Sequence, residues 1–206
     1  MNSKIIFDFT RPKLGSTQKQ YDALLRMLNS GTKIEDIAEF VGMSTEKVEN
    51  AEVSGMTFKL SQRSLDRLVG VHPDLVKVVK RAIQISKYDF MVVEGLRTLD
   101  TQKKYVAEGK SKTLNSYHLT GHAVDLAPLE NGAIDWNNKK GQFDALAAAM
   151  KQSAKELNVK IEWGGVWDKS MLQYDNPQEE SLNYVKRQKS KGKTAFIDKP
   201  HYQVSK

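Results

Sequence analysis

Helical and strand periods alternate along the chain from about residue 60 to the C-terminal end. Three segments have helical patterns, namely HPDLVKVVKRAIQIS with Pro73 near its first helical position, TLDTQKKYVAEGK and GQFDALAAAMKQSAKELN. Four short segments are typical of strands, namely FMVVEGLR, HAVDLAP ending at Pro128, VKIEWGG and HYQV. Alternation with irregular connections predicts an α+β domain over residues 60–206, with a small, mainly antiparallel sheet and flanking helices.

Residues 1–55 have a different pattern, which predicts a small all-α module joined to the rest by a linker near residues 53–61. The stretch IEDIAEFVGMSTEKVENA resembles a helix-turn-helix. Its second helix is rich in Glu and holds one Lys, and the module carries a net charge of −1 against +8 for the remainder. A DNA-reading helix normally lies in a basic field, so this charge argues against nucleic-acid binding. We expect a module for attachment or packing.

The composition limits the kind of site that the chain can build. It has 206 residues and no cysteine, so disulfides, thiolate metal sites and cysteine nucleophiles are excluded. A metal must therefore be bound by carboxylates and by some of the four histidines, which are His72, His118, His122 and His201. The sequence shows no apolar run of about 18 residues and no signal-peptide pattern, so we expect no membrane span and synthesis in the cytoplasm.

The segment SYHLTGHAVDLA brings two metal-ligand types close together. Seven residues on one helix span about 10.5 Å, so His118 and Asp125 can share an ion only if the chain turns between them. Gly121 allows that turn. Strand alternation after the turn places Asp125 beside small Ala side chains and directs His122 to the other face. His118 and Asp125 are therefore candidate ligands, and His122 is not.

The tail IDKPHYQ supplies a third candidate ligand, His201, whose approach is fixed by Pro200. Three protein ligands leave a position for water, which is the arrangement of catalytic zinc. Asp198, three residues before His201, is placed to take a proton from that water. Each residue alone also has an ordinary explanation: a structural histidine, a turn carboxylate or an Asx turn. The combination is more specific than its parts.

These residues carry a resemblance to a known superfamily. SYHLTGHAVDLA is similar to the S-x-H-x-x-G-x-A-x-D signature of the D-alanyl-D-alanine metallopeptidases, and DKPHYQ resembles their closing D-x-P-H-F-(E/Q) element. Within that group the match is closest to phage L-alanyl-D-glutamate endopeptidases, which are endolysins. The resemblance covers roughly residues 60–206. It implies one zinc ion on His118, Asp125 and His201, with Asp198 as the catalytic base.

Further residues enter through the same resemblance. VEGLRTLDTQ is similar to the family's G-x-R-(S/T)-x-x-x-Q element, which implies that Arg97 holds a substrate carboxylate or carbonyl oxygen and that Gln102 assists. Ser116 of the first motif is also counted among the substrate-binding residues. WGGVWD resembles a W/F-G-G-D-W element with Val166 in place of the acid. Its Trp163 and Trp167 line the substrate groove or, as an equal alternative, are core aromatics.

The resemblance also implies partners and a setting. The substrate is bacterial peptidoglycan, cut at the L-alanyl–D-glutamate bond, and the basic excess fits an anionic wall. We expect a monomer that is made in the host cytoplasm and acts on the periplasmic wall after release, during host lysis. A calcium site at Asp168 and Asp175 is implied for some relatives. The alternatives are a D-alanyl-D-alanine carboxypeptidase or dipeptidase and a non-catalytic wall- or DNA-binding protein.

Overall fold

The computed structural model describes residues 58–204, together with five isolated positions nearer the N-terminus (27, 33, 35, 36 and 39). Contacts divide the chain into two units, Met1–Thr57 and Phe58–Lys206. The expected all-α module at residues 1–55 lies outside the described residues apart from those isolated positions, so it stays a prediction. The second unit contains the helices and strands that position the site.

Five α-helices lie in the described range 58–204, and a side chain caps the N-terminus of all of them except the fourth. They are α1 (Gln62–Arg67), α2 (Pro73–Ile85), α3 (Leu99–Ala107), α4 (Gln142–Glu156) and α5 (Pro177–Ser190). The His72 side chain accepts a hydrogen bond from the Asp74 amide at the start of α2. The buried side of α2 is formed by the five apolar residues that its period predicts, Leu75, Val78, Val79, Ala82 and Ile83. The prediction of this helix is confirmed.

Six strands of the described range 58–204 form an antiparallel sheet, which confirms the predicted sheet type and adds two strands, the third and the fifth, to the four that the sequence predicts. They are β1 (Phe90–Glu94), β2 (Ala123–Glu130), β3 (Ala133–Ile134), β4 (Ile161–Trp163), β5 (Val166–Ser170) and β6 (His201–Val204). The order is β1-β2-β6-β4-β5, and β3 pairs with β2. β6, the last strand in sequence, therefore lies between β2 and β4, so the C-terminal tail enters the centre of the sheet.

The two faces of the sheet differ in chemistry because side chains alternate along each strand. One face is apolar and fully buried, with Val124, Tyr202, Trp163, Ile161 and Leu126 among its members. Helix α4 packs against β2 and β4, and α2 packs against α4. The opposite face carries Asp125 and His201, which are register partners on β2 and β6. The apolar core therefore packs against one face of the sheet and supports the strands whose other face carries Asp125 and His201.

The prediction that Pro128 ends the second strand is wrong, because β2 continues to Glu130. Pro128 pairs in register with Phe90 of β1. The Leu129 amide donates to the Asp89 carbonyl on the β1 side, whereas the Leu126 amide donates to the Pro200 carbonyl on the other side. Successive backbone amides of a strand point to opposite sides. The amide position of Pro128, which carries no N–H, therefore lies on the side away from β1, and the proline removes no hydrogen bond to β1.

The charged run YVKRQKSKGK is helical for most of its length, which the sequence pattern did not indicate. It forms the second half of α5, whose first turn holds Pro177 and is capped by the Asn176 side chain. Tyr184 is buried, Lys186 and Lys189 are exposed, and Arg187 is half-buried. No helix in the described part of the chain is long and apolar enough to cross a membrane.

Candidate metal centre

His118 reaches the site from a short 3-10 helix, Tyr117–Thr120, that precedes β2. The Ser116 hydroxyl caps this turn by accepting a hydrogen bond from the His118 amide. Gly121 ends it with a φ of 69°, in the left-handed region, and a Cβ there would lie 2.1 Å from the Gly70 carbonyl oxygen. The turn between His118 and Asp125 thus needs glycine for both reasons, as the sequence predicts for the chain reversal.

Asp125 and His201 come together because β2 and β6 are neighbours. They are direct register partners, and Glu94 of β1 is the partner of Asp125 on its other side. His201 is 8% exposed and His118 is 2% exposed, so both imidazoles are buried below the surface of the site. The row Glu94–Asp125–His201 therefore crosses three strands on one face of the sheet.

Three atoms of these side chains form a compact triangle. His118 Nε2 lies 3.3 Å from Asp125 Oδ1 and 3.3 Å from His201 Nδ1. His201 Nδ1 lies 3.1 Å from Asp125 Oδ1. Among the described residues, this is the one group of three or more His, Asp or Glu side chains whose ligand atoms are close enough to share a metal ion. The three predicted ligands thus converge.

In each neutral imidazole, the hydrogen bond at the nitrogen that points away from the cluster determines whether the nitrogen facing the cluster has a free lone pair. His118 Nδ1 lies 2.8 Å from the Gly95 carbonyl oxygen, which can only accept, so the proton of the neutral ring is on Nδ1. His201 Nε2 lies 3.0 Å from Gln203 Oε1, which likewise accepts. His118 Nε2 and His201 Nδ1 then each direct a lone pair toward Asp125.

This donor set fits a divalent metal. Two imidazole lone pairs and a carboxylate oxygen that face one another repel unless a cation or a proton lies among them. Zinc bonds of about 2.0–2.1 Å at tetrahedral angles separate neighbouring ligand atoms by roughly 3.3–3.4 Å, close to the spacing found between the side chains here. His122 stays outside the group, since its Nδ1 contacts the Thr120 carbonyl and its ring lies 5.1 Å from that of His72.

The surroundings keep Asp125 ionised. Burial alone raises the pKa of Asp125. When no metal is bound, a proton on the inner nitrogen of His118 or His201 hydrogen-bonds to the carboxylate, and this effect outweighs burial and holds the pKa of Asp125 well below its usual value. Burial lowers the pKa of His201, and the neighbouring Asp125 carboxylate more than compensates, so the pKa of His201 is raised. The site is therefore organised around the negative charge of Asp125, which attracts a cation.

Asp198 lies at the edge of the cluster, in the loop that leads into β6. Burial and the Asp125 charge raise the pKa of the Asp198 carboxyl, against the opposing effects of His201, His118 and Arg97. Its backbone is held at Gly164, where the Asp198 amide donates to the Gly164 carbonyl and the Gly164 amide donates to the His201 carbonyl. The loop that carries Asp198 is therefore fixed to the β4–β5 turn.

Arg97 lies behind Asp125 and is 8% exposed at its side chain. Its guanidinium forms a two-pronged ion pair with Glu94, donates to Gln102 Oε1 at 2.6 Å and lies over the ring of Tyr105. The Nη2 atom is also 3.8 Å from Asp125 Oδ2. Arg97 thus belongs to the site, and Glu94, Gln102 and Tyr105 orient it.

Gln102 and Ser116 have structural partners in place of open space. Gln102 is fully buried; its amide oxygen accepts from Arg97 and its amide nitrogen donates to Ser111 Oγ and the Thr113 carbonyl. These contacts orient Arg97 and the 111–113 loop, and a direct contact of Gln102 with substrate stays a prediction. Ser116 caps the turn that carries His118. Both residues therefore position side chains of the predicted site, Gln102 through Arg97 and Ser116 through His118.

The two tryptophans of the WGGVW segment lie in different places. Trp163 is fully buried, stacks on Tyr202 and donates from Nε1 to the Lys199 carbonyl. It is a core aromatic, the second of the two alternatives, and it supports the loop before His201. Trp167 is half-buried; its ring lies 5.3 Å from that of His201 and 5.8 Å from that of Phe196. Only Trp167 of the pair borders the metal cluster.

The carboxylates proposed for calcium do not form a ligand group in this structure. Asp168 pairs with Arg187 through Nε at 3.0 Å and Nη2 at 2.7 Å. Asp175 is fully exposed and lies 3.9 Å from Lys151 Nζ. Neither belongs to the single metal-ligand group found among the described residues. The charge of Asp168 is balanced by an arginine, and calcium binding stays a prediction.

Sequence reasoning missed Glu94, Gln203 and Glu162. Glu94 lies three residues before Arg97, and Gln203 lies two residues after His201 and so shares its strand face. These spacings were available signals for both residues. Glu162 contacts Gln203 across two strands that are 41 residues apart in sequence. No local spacing could have identified that partner.

An α+β fold in which two buried imidazoles and a carboxylate converge on one sheet face, close enough to hold a metal ion, is typical of metal-dependent hydrolases. Comparison with known proteins identifies the family within that class. The model of the phage L-alanyl-D-glutamate peptidase family matches residues 56–203, so the chain belongs to this family. The chain is an L-alanyl-D-glutamate peptidase of phage type, as the sequence motifs predict.

Individual relatives agree with the family match. The L-alanyl-D-glutamate peptidase of Escherichia phage T5 is 41% identical over 118 residues, which is 56% of this chain and 85% of that protein. The L-alanyl-D-glutamate peptidase of Listeria phage A118 is 32% identical over 89 residues, 43% of this chain and 29% of that protein. The crystal structure of the Serratia marcescens L-Ala D-Glu endopeptidase ChiX superposes with a TM-score of 0.53 at 32% identity, covering 72% of this chain and 91% of that chain.

Proposed function

We propose that this peptidase is a zinc-dependent endopeptidase that hydrolyses the L-alanyl–D-glutamate bond of peptidoglycan stems. The observation that carries the proposal is the convergence of His118, Asp125 and His201 on one face of the sheet, with the Asp198 carboxylate nearby. We also assign the domain to the D-alanyl-D-alanine metallopeptidase and hedgehog-like folds. The antiparallel α+β architecture and the match to ChiX support this assignment.

His118 Nε2, His201 Nδ1 and Asp125 Oδ1 are the atoms that hold the metal. Two nitrogens and one carboxylate oxygen suit zinc, and the count of three leaves the coordination open for water or substrate. When bound, zinc polarises the scissile carbonyl and lowers the pKa of a water molecule toward about 7. The Gly95 carbonyl and the Gln203 amide keep both imidazoles in the required orientation.

Asp198 is the general base. One of its carboxylate oxygens takes a proton from the attacking water and delivers that proton to the leaving amine. The raised pKa of Asp198, caused by burial and by the Asp125 charge, brings its carboxylate closer to the basicity that this transfer needs. The hydrogen bonds between its loop and Gly164 hold the carboxylate in place throughout.

We assign Arg97 and Trp167 to substrate binding. The guanidinium of Arg97 is fixed by Glu94 and Gln102, so its remaining N–H groups have one direction in which to hold a substrate carboxylate or carbonyl oxygen. Trp167 lies next to His201 and forms an aromatic wall with Phe196. A flat apolar wall beside the metal cluster suits a peptide that must pass in an extended form.

The biological setting follows from phage origin and charge. The part of the chain beyond residue 55 carries a net charge of +8, which favours approach to an anionic bacterial wall. We propose that the enzyme is made in the host cytoplasm, reaches the periplasmic wall after release, and acts there as a monomeric endolysin during host lysis. Attachment to the wall is the role we propose for residues 1–55.

Digestion of purified sacculi tests the proposed reaction. The protein, loaded with one equivalent of zinc, is incubated with sacculi, and the newly freed termini are identified by mass spectrometry. New L-alanine C-termini and D-glutamate N-termini are the expected products. Release of free D-alanine would instead assign a D-alanyl-D-alanine carboxypeptidase, and binding to sacculi without new termini would assign a non-catalytic wall protein.

A further inference from the structure

Gln203 stands between the metal-ligand candidate His201 and a carboxylate on the neighbouring strand. Gln203 and Glu162 are register partners on β6 and β4. Gln203 Nε2 donates to Glu162 Oε2 at 2.8 Å, and Gln203 Oε1 lies 3.0 Å from His201 Nε2. Gln203 is buried, and Glu162 is half-buried. The three side chains thus form a series of hydrogen bonds that ends at the metal centre.

The donor and acceptor roles in both hydrogen bonds of this series follow from the carboxylate of Glu162 at its outer end. An ionised carboxylate can only accept hydrogen bonds, so Glu162 requires the NH2 group of the Gln203 amide to face it. The amide oxygen must then face His201. An oxygen at that position requires a proton on His201 Nε2, and the neutral ring consequently has its free lone pair on Nδ1, the atom that faces Asp125 and His118.

We propose that Glu162 is a positioning residue that selects the metal-binding tautomer of His201 through Gln203. Glu162 has no hydrogen bond to the imidazole; it acts by removing the alternative orientation of the amide. If Gln203 were reversed, its NH2 group would face His201 Nε2, the proton would move to Nδ1, and the nitrogen facing the cluster could no longer donate a lone pair. The metal consequence rests on the proposed function, whereas the tautomer itself does not.

A neutral glutamine at position 162 removes this selection. An amide can present either its oxygen or its NH2 group, so Glu162→Gln allows both orientations of Gln203 at little cost. The substitution keeps the shape of the side chain and the possibility of a hydrogen bond between the strands. A purely structural role of the β4–β6 contact is therefore largely preserved, and the tautomer of His201 is not.

The tautomer is measured first in the metal-free wild-type and Glu162→Gln proteins, at a pH above the pKa of His201, by long-range ¹H–¹⁵N correlation of the histidine rings. Asp125 and His118 compete for a proton on Nδ1 when no metal is bound, so we expect His201 to carry its proton on Nε2 in a larger fraction of wild-type molecules than of Glu162→Gln molecules. Equal fractions in the two proteins would overturn the proposal. This measurement stands even if the protein binds no zinc, so failure of the zinc assignment is distinguishable from failure of this inference.

Variants provide the second measurement. In Glu162→Gln we expect, beside the smaller share of the Nε2 tautomer, a loss of zinc affinity of about 10-fold to 100-fold, the usual effect of removing an outer partner of a metal-binding histidine. Glu130→Gln, a strand carboxylate whose partner is Lys140, is the matched control and keeps wild-type affinity. In the exchange variant E162Q/Q203E, a carboxylate accepts directly from His201 Nε2, and we expect the tautomer and the affinity to recover.

The outcomes separate orientation from packing. Equal zinc affinity and an unchanged Nε2 tautomer in Glu162→Gln would overturn the proposal. Failure of the exchange variant to recover the tautomer, in a protein that melts within a few degrees of wild type, would also overturn it. If Glu162→Gln does not fold, the exchange variant decides the question, since it must keep the wild-type share of the Nε2 tautomer.

Discussion

At the scale of single residues, a substitution of Asp198 tests catalysis separately from metal binding. Its carboxylate lies beside the cluster but supplies none of the three grouped ligand atoms. We therefore predict that Asp198→Asn keeps stoichiometric zinc and loses about 100-fold to 10,000-fold in kcat on a stem peptide, the usual contribution of a general base. Zinc content and kcat are measured on the same sample. Asp175→Asn, at a fully exposed carboxylate, serves as the control.

An Asp198→Asn protein with wild-type kcat would remove Asp198 from the mechanism. Loss of zinc in the same variant would instead make Asp198 a ligand. Both results differ from the expected combination of full metal content and low kcat.

The four histidines allow a matched test of the ligand assignment. His118 contributes Nε2 to the cluster, whereas His122 hydrogen-bonds to Thr120 and lies against His72. We predict that His118→Ala loses stoichiometric zinc and at least about 1,000-fold in kcat/KM, because metal catalysis contributes several kcal/mol to transition-state stabilisation. His122→Ala keeps its zinc. Equal zinc in wild type and His118→Ala, measured by elemental analysis, would end the assignment.

At the scale of elements, the turn between β4 and β5 positions the loop that carries Asp198. A Cβ on Gly164 would lie 2.1 Å from the Asp198 carbonyl oxygen, so the loop must move if any side chain is added. We predict that Gly164→Ala is destabilised by about 1–3 kcal/mol through overpacking and loses activity beyond what its melting temperature explains. Thermal melts and kcat at a temperature where both proteins are folded check this.

Gly109→Ala is the comparison for that variant. Gly109 has open space around its Cβ position but a φ of 71°, so alanine there adds backbone strain of about 1–2 kcal/mol without a clash. We expect Gly109→Ala to lose stability and keep kcat. If Gly164→Ala also kept kcat, the turn would not position the catalytic loop.

Helix α5 is fastened to the sheet by charge, which predicts an acid-sensitive contribution to stability. Arg187 pairs with Asp168 of β5 and with Glu180. The hydrogen bond from Arg187 lowers the pKa of Asp168; burial raises the pKa of Glu180, but its bonds to Lys169 and Arg187 lower it further. A carboxyl whose pKa is lower in the folded state stabilises the fold above its unfolded pKa and loses that effect as the pH falls through the folded pKa.

We predict that Arg187→Met lowers stability by about 1 kcal/mol at neutral pH, measured as a difference in melting temperature. That difference should shrink below about pH 4, where the unpaired Asp and Glu titrate. Lys103→Met, which removes an exposed 3.8 Å pair with Asp100, should show almost no difference at any pH. A constant difference from pH 7 to pH 3 would contradict the ion-pair explanation.

At the scale of the whole molecule, all site residues lie between Glu94 and Gln203, within the unit Phe58–Lys206. We predict that a protein without residues 1–57 hydrolyses a small soluble stem peptide within about two-fold of the full chain, since catalytic groups that are positioned by one domain act independently of an appended module. On intact sacculi the shortened protein should be slower. Loss of activity on the soluble peptide would show that residues 1–57 complete the site.

The sequence alone identified the three side chains that converge, partly because the spacing around Gly121 is local information and partly because the motifs resemble those of a known family. The spacing of His118, Gly121 and Asp125 required a turn, and strand alternation excluded His122; both features appear in the structure. Helix α2 and strands β1 and β6 followed from the periodicity of their apolar residues. Helical and strand periods depend on neighbours a few residues away, so no knowledge of the fold was needed.

Tertiary structure decided which strands are neighbours, and with it the second layer of the site. Alternation placed Trp163 on one face of β4, but only the packing of that face against helices made it a core residue in place of a groove residue. The packing of helix α3 likewise made Gln102 a hydrogen-bond partner of Arg97. The bond between Glu162 and Gln203 exists because β6 inserts between β2 and β4. Strand order depends on the free energy of burying the whole core, which no local pattern contains.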